Sequence, residues 1–247
     1  MLNLKGKKAL VTGSGRGIGR EIALALAECG AEVFIHYIGN DEAAYDTKKM
    51  IDKTGAKSEF VKVDLCGADC ADRIYEKTGD VDILVLNASI QYRKKWNEIT
   101  LPEFDDQVNC NFRASLLLIQ KYAPFMMKNN WGRIVTIGSV QEAKPHPDML
   151  IYSSTKAAQT LMAKSLALQL CEYGITVNCI APGVIATDRN KDALADEEYR
   201  KIVLSKIPMG RAGGAQEFKG LIQVLCSDEG SYITGQNIYV DGGMSIK

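Results

Sequence analysis

Tyr152 and Lys156 stand four residues apart in Tyr152-Ser-Ser-Thr-Lys156, a spacing that puts a phenol and an ammonium on one helix face, one turn apart. A free phenol titrates near about 10 and is a poor base at neutral pH. A neighbouring ammonium favours the phenolate, so the pair suits proton exchange with an alcohol or carbonyl oxygen. Spacing alone means little, because ten tyrosines among many lysines give about one such pair by chance. A second pair, Tyr45/Lys49, lies on a polar, charge-rich segment and reads as a solvated face. Context separates the two. Tyr152/Lys156 opens a long apolar helix and follows a strand ending in Ser139. The C-terminal ends of strands face the crevice where open α/β sheets bind ligands, so Ser139 can hold and polarise a substrate oxygen there.

Thr12-Gly13-Ser14-Gly15-Arg16-Gly17-Ile18-Gly19 comes directly after the first apolar run and before a helical pattern. Glycines here let the chain turn sharply, bring backbone N–H groups to a pyrophosphate and pack the helix on the strand. In that strand–loop–helix context the cluster predicts a dinucleotide site. An NAD site carries an Asp or Glu about 20 residues on, for the ribose 2′-hydroxyl. Here the stretch reads His36-Tyr37-Ile38-Gly39-Asn40, without a carboxylate, while Arg16 offers a guanidinium to a 2′-phosphate. NADP(H) is therefore expected in preference to NAD(H). An oxidised nicotinamide adds a second positive charge favouring the phenolate, and the cofactor supplies the hydride.

The elements that must position these groups follow from periodicity. Short apolar runs at Lys8–Thr12, Glu32–Tyr37, Glu59–Asp64, Asp82–Asn87, Arg133–Ser139, Thr176–Ala181 and Asn237–Asp241 alternate with helical segments such as Ile18–Cys29, Leu101–Lys128 and Met149–Cys171. Strands apolar on both faces and separated by helices imply a parallel sheet covered on both sides. Thr100-Leu-Pro-Glu103 reads as a helix start with a capping-box Glu. No linker or repeat divides the chain, so residues 1–247 are expected to form a single doubly wound Rossmann domain of about seven strands.

The 247 residues carry 30 basic and 30 acidic side chains, a net charge of zero that gives no electrostatic reason for nucleic acid or an acidic membrane as partner. No apolar run approaches the roughly 20 residues of a membrane span, and Met1–Lys8 lacks a signal-peptide core, so a cytoplasmic protein is expected. Seven cysteines without a CxxC pair read as buried reduced thiols, and two distant histidines, His36 and His146, lack metal-ligand spacing.

The chain resembles the short-chain dehydrogenase/reductase family along essentially its whole length. The matching pieces are TGSGRGIG at 12–19, LNAS at 86–89, Asn111 in VNCNF, IGS at 137–139, YSSTK at 152–156, PGVIAT at 182–187 and TGQNIYVDGG at 234–243. The resemblance implies that Tyr152 is the general acid/base, that Ser139 orients the substrate carbonyl, and that Lys156 binds the nicotinamide ribose and lowers the tyrosine pKa. It implies that Asn111 holds a proton-relaying water. It also puts Gly13, Arg16 and Ile18 along the pyrophosphate and adenosine, Asp64 near the adenine, Asn87 at the ribose, and Ile185 and Thr187 at the carboxamide. One departure is visible: the family's Asn-Ala-Gly is here Asn87-Ala88-Ser89.

Within the family the chain is most similar to 3-oxoacyl-[acyl-carrier-protein] reductases, around GRIVTIGS and YITGQNIYVDGG. Those enzymes dock the acidic carrier protein partly through basic residues at positions that correspond here to Asn130 and Tyr173, with Lys128 or Arg133 as substitutes. The carrier-protein reading is weakened accordingly. The loop 141–148, with Gln141, Glu142, Lys144 and His146, suits a hydroxylated or charged small molecule; a stiffened surface loop with His146 exposed is the alternative. Segment 188–207 reads as a substrate lid, and Gln91-Tyr92-Arg93 as a further contributor. The expected function is thus NADP(H)-dependent interconversion of a ketone and a secondary alcohol on a small polar carbonyl, sugar or polyol. The alternatives are a carrier-protein-dependent 3-oxoacyl reductase and a non-catalytic dinucleotide sensor. By resemblance the protein is a homotetramer joined through its long helices and C-terminal strand.

Overall fold

A computed structural model describes residues 2–247, the side chains of residues 191–194 excepted. Met1, at the head of the Met1–Lys8 stretch, and those four side chains of segment 188–207 lie outside the described residues. The strands are β1 (Lys8–Val11), β2 (Glu32–Tyr37), β3 (Ser58–Lys62), β4 (Ile83–Leu86), β5 (Gly132–Ile137), β6 (Ile175–Pro182) and β7 (Asn237–Val240). The helices are α1 (Gly17–Glu28), α2 (Asp41–Asp52), α3 (Cys70–Thr78), α4 (Leu101–Val108), α5 (Ala114–Lys128), α6 (Leu150–Leu170), α7 (Asp188–Ala195), α8 (Glu197–Ser205) and α9 (Lys219–Cys226).

All strands run parallel in the order β3-β2-β1-β4-β5-β6-β7. Their period-2 pattern splits each strand between two cores. Ala9, Val11, Ile83 and Val85 face one core with Ile22 and Leu26 of α1 and Ile222 of α9. Leu10, Leu84 and Leu86 face the other with Ile74 of α3, Leu118 of α5 and Ala163 of α6. Being apolar on both faces is what makes these strands read as continuous hydrophobic runs. The doubly wound sheet that the periodicity predicts is present, and its order reverses between β1 and β4, where a crevice opens at the carboxyl ends.

Two expectations need correction. The Leu101–Lys128 segment is not one regular helix, because a π-type turn at Asn109–Arg113 separates α4 from α5. The extra residue in that turn lets the Asn111 side chain reach the loop after β4 instead of staying in helical register. The cysteines are also not uniformly buried: Cys171 is exposed, and Cys29 and Cys66 are half-buried. At Thr100 the carboxylate of Glu103 accepts both the backbone N–H, at 3.0 Å, and the side-chain hydroxyl, at 2.8 Å, so the helix start is fixed from the Glu side.

Candidate active site

A cavity of about 1030 Å³ opens along the carboxyl ends of the strands. Its cofactor end is built on the loop between β1 and α1. Gly13 takes a φ of +65°, a left-handed conformation that favours glycine, and its N–H donates to His36 Nδ1 at 3.1 Å. The same imidazole meets the Val63 carbonyl through Nε2 at 3.0 Å, so the proton belongs on Nε2. Complete burial pushes the His36 pKa down to about 4 and keeps the ring neutral. From the opposite side Asn87 Nδ2 donates to the carbonyls of Thr12 and Gly13, at 2.8 and 3.1 Å. Gly19 packs so closely here that a Cβ would lie 2.4 Å from the Gly13 oxygen and 2.5 Å from Asn87 Nδ2. The loop is held rigid, and its cradle is free of side-chain bulk where a pyrophosphate would lie.

Gly13, Gly15, Arg16, Gly17, Ile18 and Gly19 all line this end, as do Asp64, Asn87, Ile185 and Thr187. Asp64 accepts the Cys66 N–H on Oδ1 at 2.9 Å. Thr187 stands over the loop, its Cγ2 placed 3.6 Å from where a Gly17 Cβ would be. The first carboxylate after β2, Asp41, is taken up by Lys62 Nζ at 2.8 and 2.9 Å and does not line the cavity. Arg16 does line it and pairs loosely with Asp188 at 3.7 Å, both side chains being exposed.

Ser139, Tyr152 and Lys156 line the same cavity. Ser139 lies two residues beyond β5 and caps a 3₁₀ turn, its Oγ accepting the Gln141 N–H at 3.2 Å. Lys156 is 1% exposed, with Nζ donating to the Ile137 carbonyl at 2.6 Å and to Gln159 Oε1 at 3.2 Å. Burial lowers its pKa, and the charge of Arg189 adds to that while Tyr152 opposes it. The ammonium is 5.8 Å from the centre of the Tyr152 ring. Tyr45/Lys49 is a surface cation–π pair on α2, outside the cavity lining.

Asn111 is not on the cavity wall; it is fully buried behind it. Its amide exchanges two hydrogen bonds with Ile90, at 2.8 and 2.9 Å, and donates to Thr155 Oγ1 at 3.1 Å. Thr155 in turn donates to the Tyr152 carbonyl at 2.8 Å. A second connection runs from Lys156 through Gln159 Oε1, Gln159 Nε2, Ser115 Oγ (2.9 Å) and the Asn111 carbonyl (3.2 Å). Thr155, Gln159 and Ser115 escaped the sequence reading. Their signal was present: Gln159 stands three residues after Lys156, and Ser115 four after Asn111, on helix faces that are otherwise apolar. Glu142, expected with its loop to border the substrate, does not line the cavity. Its carboxylate instead binds Thr160 of α6 and Asn237 of β7, anchoring the turn that starts at Ser139.

Loop residues Gln141, Lys144 and His146, and Asp188, Arg189, Asn190, Tyr199 and Lys206 of segment 188–207, border the cavity beyond Ser139, joined by Gln91 and Arg93. His146 is half-buried rather than exposed. The Arg133 offered as a docking cation is 2% exposed. Its guanidinium donates to the carbonyls of Ser227, Gly132 and Gly174, at 3.0, 2.9 and 3.2 Å. Asn130 occupies the left-handed region at φ 49°, which Asn tolerates better than most residues, so its identity has a backbone reason. Among the described residues, no group of three or more His, Cys, Asp or Glu is arranged to hold a metal ion.

A family model described as enoyl-(acyl carrier protein) reductase matches residues 13–245. The 3-oxoacyl-[acyl-carrier-protein] reductase FabG of Escherichia coli K12 is 38% identical over 247 residues, covering 98% of this chain and 99% of that protein. A 3-oxoacyl (acyl-carrier-protein) reductase from Agrobacterium tumefaciens C58, solved with NADP bound, superposes with a TM-score of 0.93 at 34% identity, covering 98% of this chain and 95% of that one. A gluconate 5-dehydrogenase from Burkholderia cenocepacia J2315, solved with NADP and tartrate, gives a TM-score of 0.91 at 30% identity, covering 100% and 98%. The chain belongs to the short-chain dehydrogenase/reductase family of NAD(P)-dependent oxidoreductases.

Proposed function

We propose that the protein interconverts a ketone and a secondary alcohol on a small polar substrate, using NADP(H). The observation that carries this is one cavity holding Ser139, Tyr152 and Lys156 at one end and the braced glycine loop with Arg16 at the other. The residues present fit the dinucleotide, since the glycine loop lines the cavity and, between Tyr37 at the end of β2 and Ala43, neither Asp41 nor Glu42 lines it to meet a 2′-hydroxyl. The relatives solved with NADP support the same choice. Bound there, NADPH supplies a hydride. Ser139 Oγ donates to the substrate carbonyl oxygen, and Tyr152 gives that oxygen its hydroxyl proton. Lys156 binds the nicotinamide ribose and stabilises the resulting phenolate. Asn111, through Thr155 and Ile90, holds the helix start and the loop after β4 in register, and serves the proton path to Lys156. Gly15, Gly17, Ile18, Asp64, Asn87, Ile185 and Thr187 take the cofactor contacts assigned to them by resemblance.

A second reading, reduction of a 3-oxoacyl group on a carrier protein, is favoured by the curated relatives. The buried Arg133 and the non-basic Asn130 and Tyr173 argue against it, leaving Lys128 as the exposed cation of that group. We further propose a cytoplasmic homotetramer. Leu161 and Leu168 of α6 are 66% and 83% exposed, an apolar face that a second copy would cover. No helix among the described residues is long and apolar enough to cross a membrane.

The test is absorbance at the reduced-nicotinamide band with NADPH and NADH on a 3-oxoacyl thioester, small diketones, and sugars, polyols and hydroxy acids in the oxidative direction. Turnover on the hydroxylated compounds, with the phosphorylated cofactor preferred, is the expected outcome. Turnover confined to the thioester would favour the second reading.

A further inference from the structure

One corner of the substrate end has more hydrogen-bond donors than acceptors. Arg93, in the loop after β4, donates from Nη2 to Tyr199 Oη at 2.8 Å, and the same nitrogen lies 3.0 Å from His146 Nε2. The His146 Nδ1 faces the Asp148 N–H at 3.1 Å. A neutral imidazole has one N–H. If Nδ1 accepts from Asp148, then Nε2 carries the proton and opposes a guanidinium donor; the other tautomer moves the same conflict to Asp148. Lys206 adds an ammonium close by: burial lowers the His146 pKa, and the charges of Arg93 and Lys206 lower it further, against Asp148. Lys144, from the same loop as His146, also lines the cavity, whereas Asp148 does not. Among the described residues no carboxylate lies within ion-pair distance of Arg93, Lys144 or Lys206. Three separate segments thus bring cations and hydroxyls to one wall of the cavity that also holds Tyr152.

We infer that this corner is an anion subsite and that the substrate is a hydroxy or oxo acid, its carboxylate held by Arg93, Tyr199 and Lys206 while its reacting carbon lies at Tyr152 and Ser139. The inference rests on the oxidoreductase reading above. A planar guanidinium fork matches a carboxylate through two parallel hydrogen bonds, and the surplus donors of His146 and Lys206 complete its lone pairs. The anion also explains why a chain of zero net charge gathers unpaired cations here.

The test is calorimetric binding to the NADPH-loaded protein of D-gluconate, tartrate and 3-hydroxybutyrate, each against its uncharged counterpart: D-glucitol, threitol and 1,3-butanediol. At least one acid is expected to bind roughly tenfold or more tightly than its neutral partner. Arg93→Gln should weaken that acid roughly 10- to 100-fold and leave the neutral compound and NADPH unchanged. Tyr199→Phe should cause a smaller loss of the acid alone. No preference for any acid, or equal loss of acid and neutral ligand in Arg93→Gln, overturns the inference. A parallel arm compares 3-oxoacyl coenzyme A with the phosphate-free 3-oxoacyl-N-acetylcysteamine. An Arg93→Gln defect confined to the former would assign the anion to a phosphate and overturn the carboxylate. Arg93-dependent binding of an acid that is never oxidised with NADP⁺ would keep the anion subsite and defeat the redox reading instead.

Discussion

Arg189 grips Ser89 twice, Nη1 donating to the side-chain hydroxyl at 3.0 Å and Nη2 to the backbone carbonyl at 2.8 Å. Ser89 comes two residues after Asn87, and Arg189 two after Thr187, so one clasp ties together the two flanks of the expected nicotinamide pocket. The hydroxyl half of that clasp exists only because this chain carries serine where the family pattern has glycine.

Ser89→Gly removes one of the two acceptors and leaves the other. The contact is exposed, so the expected effect is modest: NADPH release, followed by stopped-flow fluorescence, quickens roughly two- to fivefold. An unchanged release rate would mean that the clasp does not hold α7 over the cofactor.

Gly19→Ala and Gly15→Ala should behave oppositely. A Cβ at position 19 meets a backbone carbonyl and the Asn87 amide inside ordinary contact distance, whereas at position 15 its nearest neighbours are 3.6 Å away. Overpacking of this kind costs about 1–3 kcal/mol. Thermal melts should show a lowered Tm and weaker NADPH binding for the first variant and a near-native Tm for the second. Equal melting of both variants would contradict the bracing role of Asn87.

His36 makes the glycine loop sensitive to acid. Its pKa is depressed to about 4 by burial, against about 6.5 in the unfolded chain. The unfolded state therefore binds the extra proton first. Stability from this group is fully present above about pH 6.5 and is lost as pH falls toward 4, by roughly 3 kcal/mol in all. In the folded protein, protonation would end the acceptance of the Gly13 N–H, so NADPH affinity should hold down to about pH 5 and fall only as pH reaches about 4. Denaturant melts and cofactor titrations between pH 7 and 4 check this; a His36→Asn variant should flatten both profiles.

Arg16→Gln should narrow the preference for NADPH over NADH roughly tenfold or more, by raising the KM for NADPH with little change for NADH. Its only ion pair among the described residues is the loose one to Asp188, so Tm should stay near native. Equal losses with both cofactors would place the guanidinium at the pyrophosphate and not at the 2′-phosphate.

Local features of the site were legible because each is a short string. The glycine loop spans eight residues, Tyr152 and Lys156 share a helix turn, and β2 is bounded by Gly30 before it and Gly39 after it, so its ends were found to the residue. Features made of distant partners were not. His36 and Gly13 are 23 residues apart, and Arg93 and Tyr199 are 106 apart, separations at which no periodicity speaks. The π-type turn at Asn109–Arg113 was hidden because apolar residues continue at helical spacing on either side of it. Arg133 misled in the opposite way. A basic residue at the start of a strand reads as exposed, and only the fold shows three backbone carbonyls and the Trp131 ring, 4.3 Å from its guanidinium carbon, closing around it.

The proposed chemistry stands on the Tyr152 hydroxyl. Tyr152→Phe keeps the ring that packs in the helix and removes only the hydroxyl, so NADPH binding and Tm should match the parent protein. Turnover at the reduced-nicotinamide band, on whichever substrate the panel identifies, should fall roughly 10²- to 10⁴-fold. Turnover retained within a few-fold of the parent, with cofactor binding intact, would contradict the assignment of Tyr152 as the proton donor.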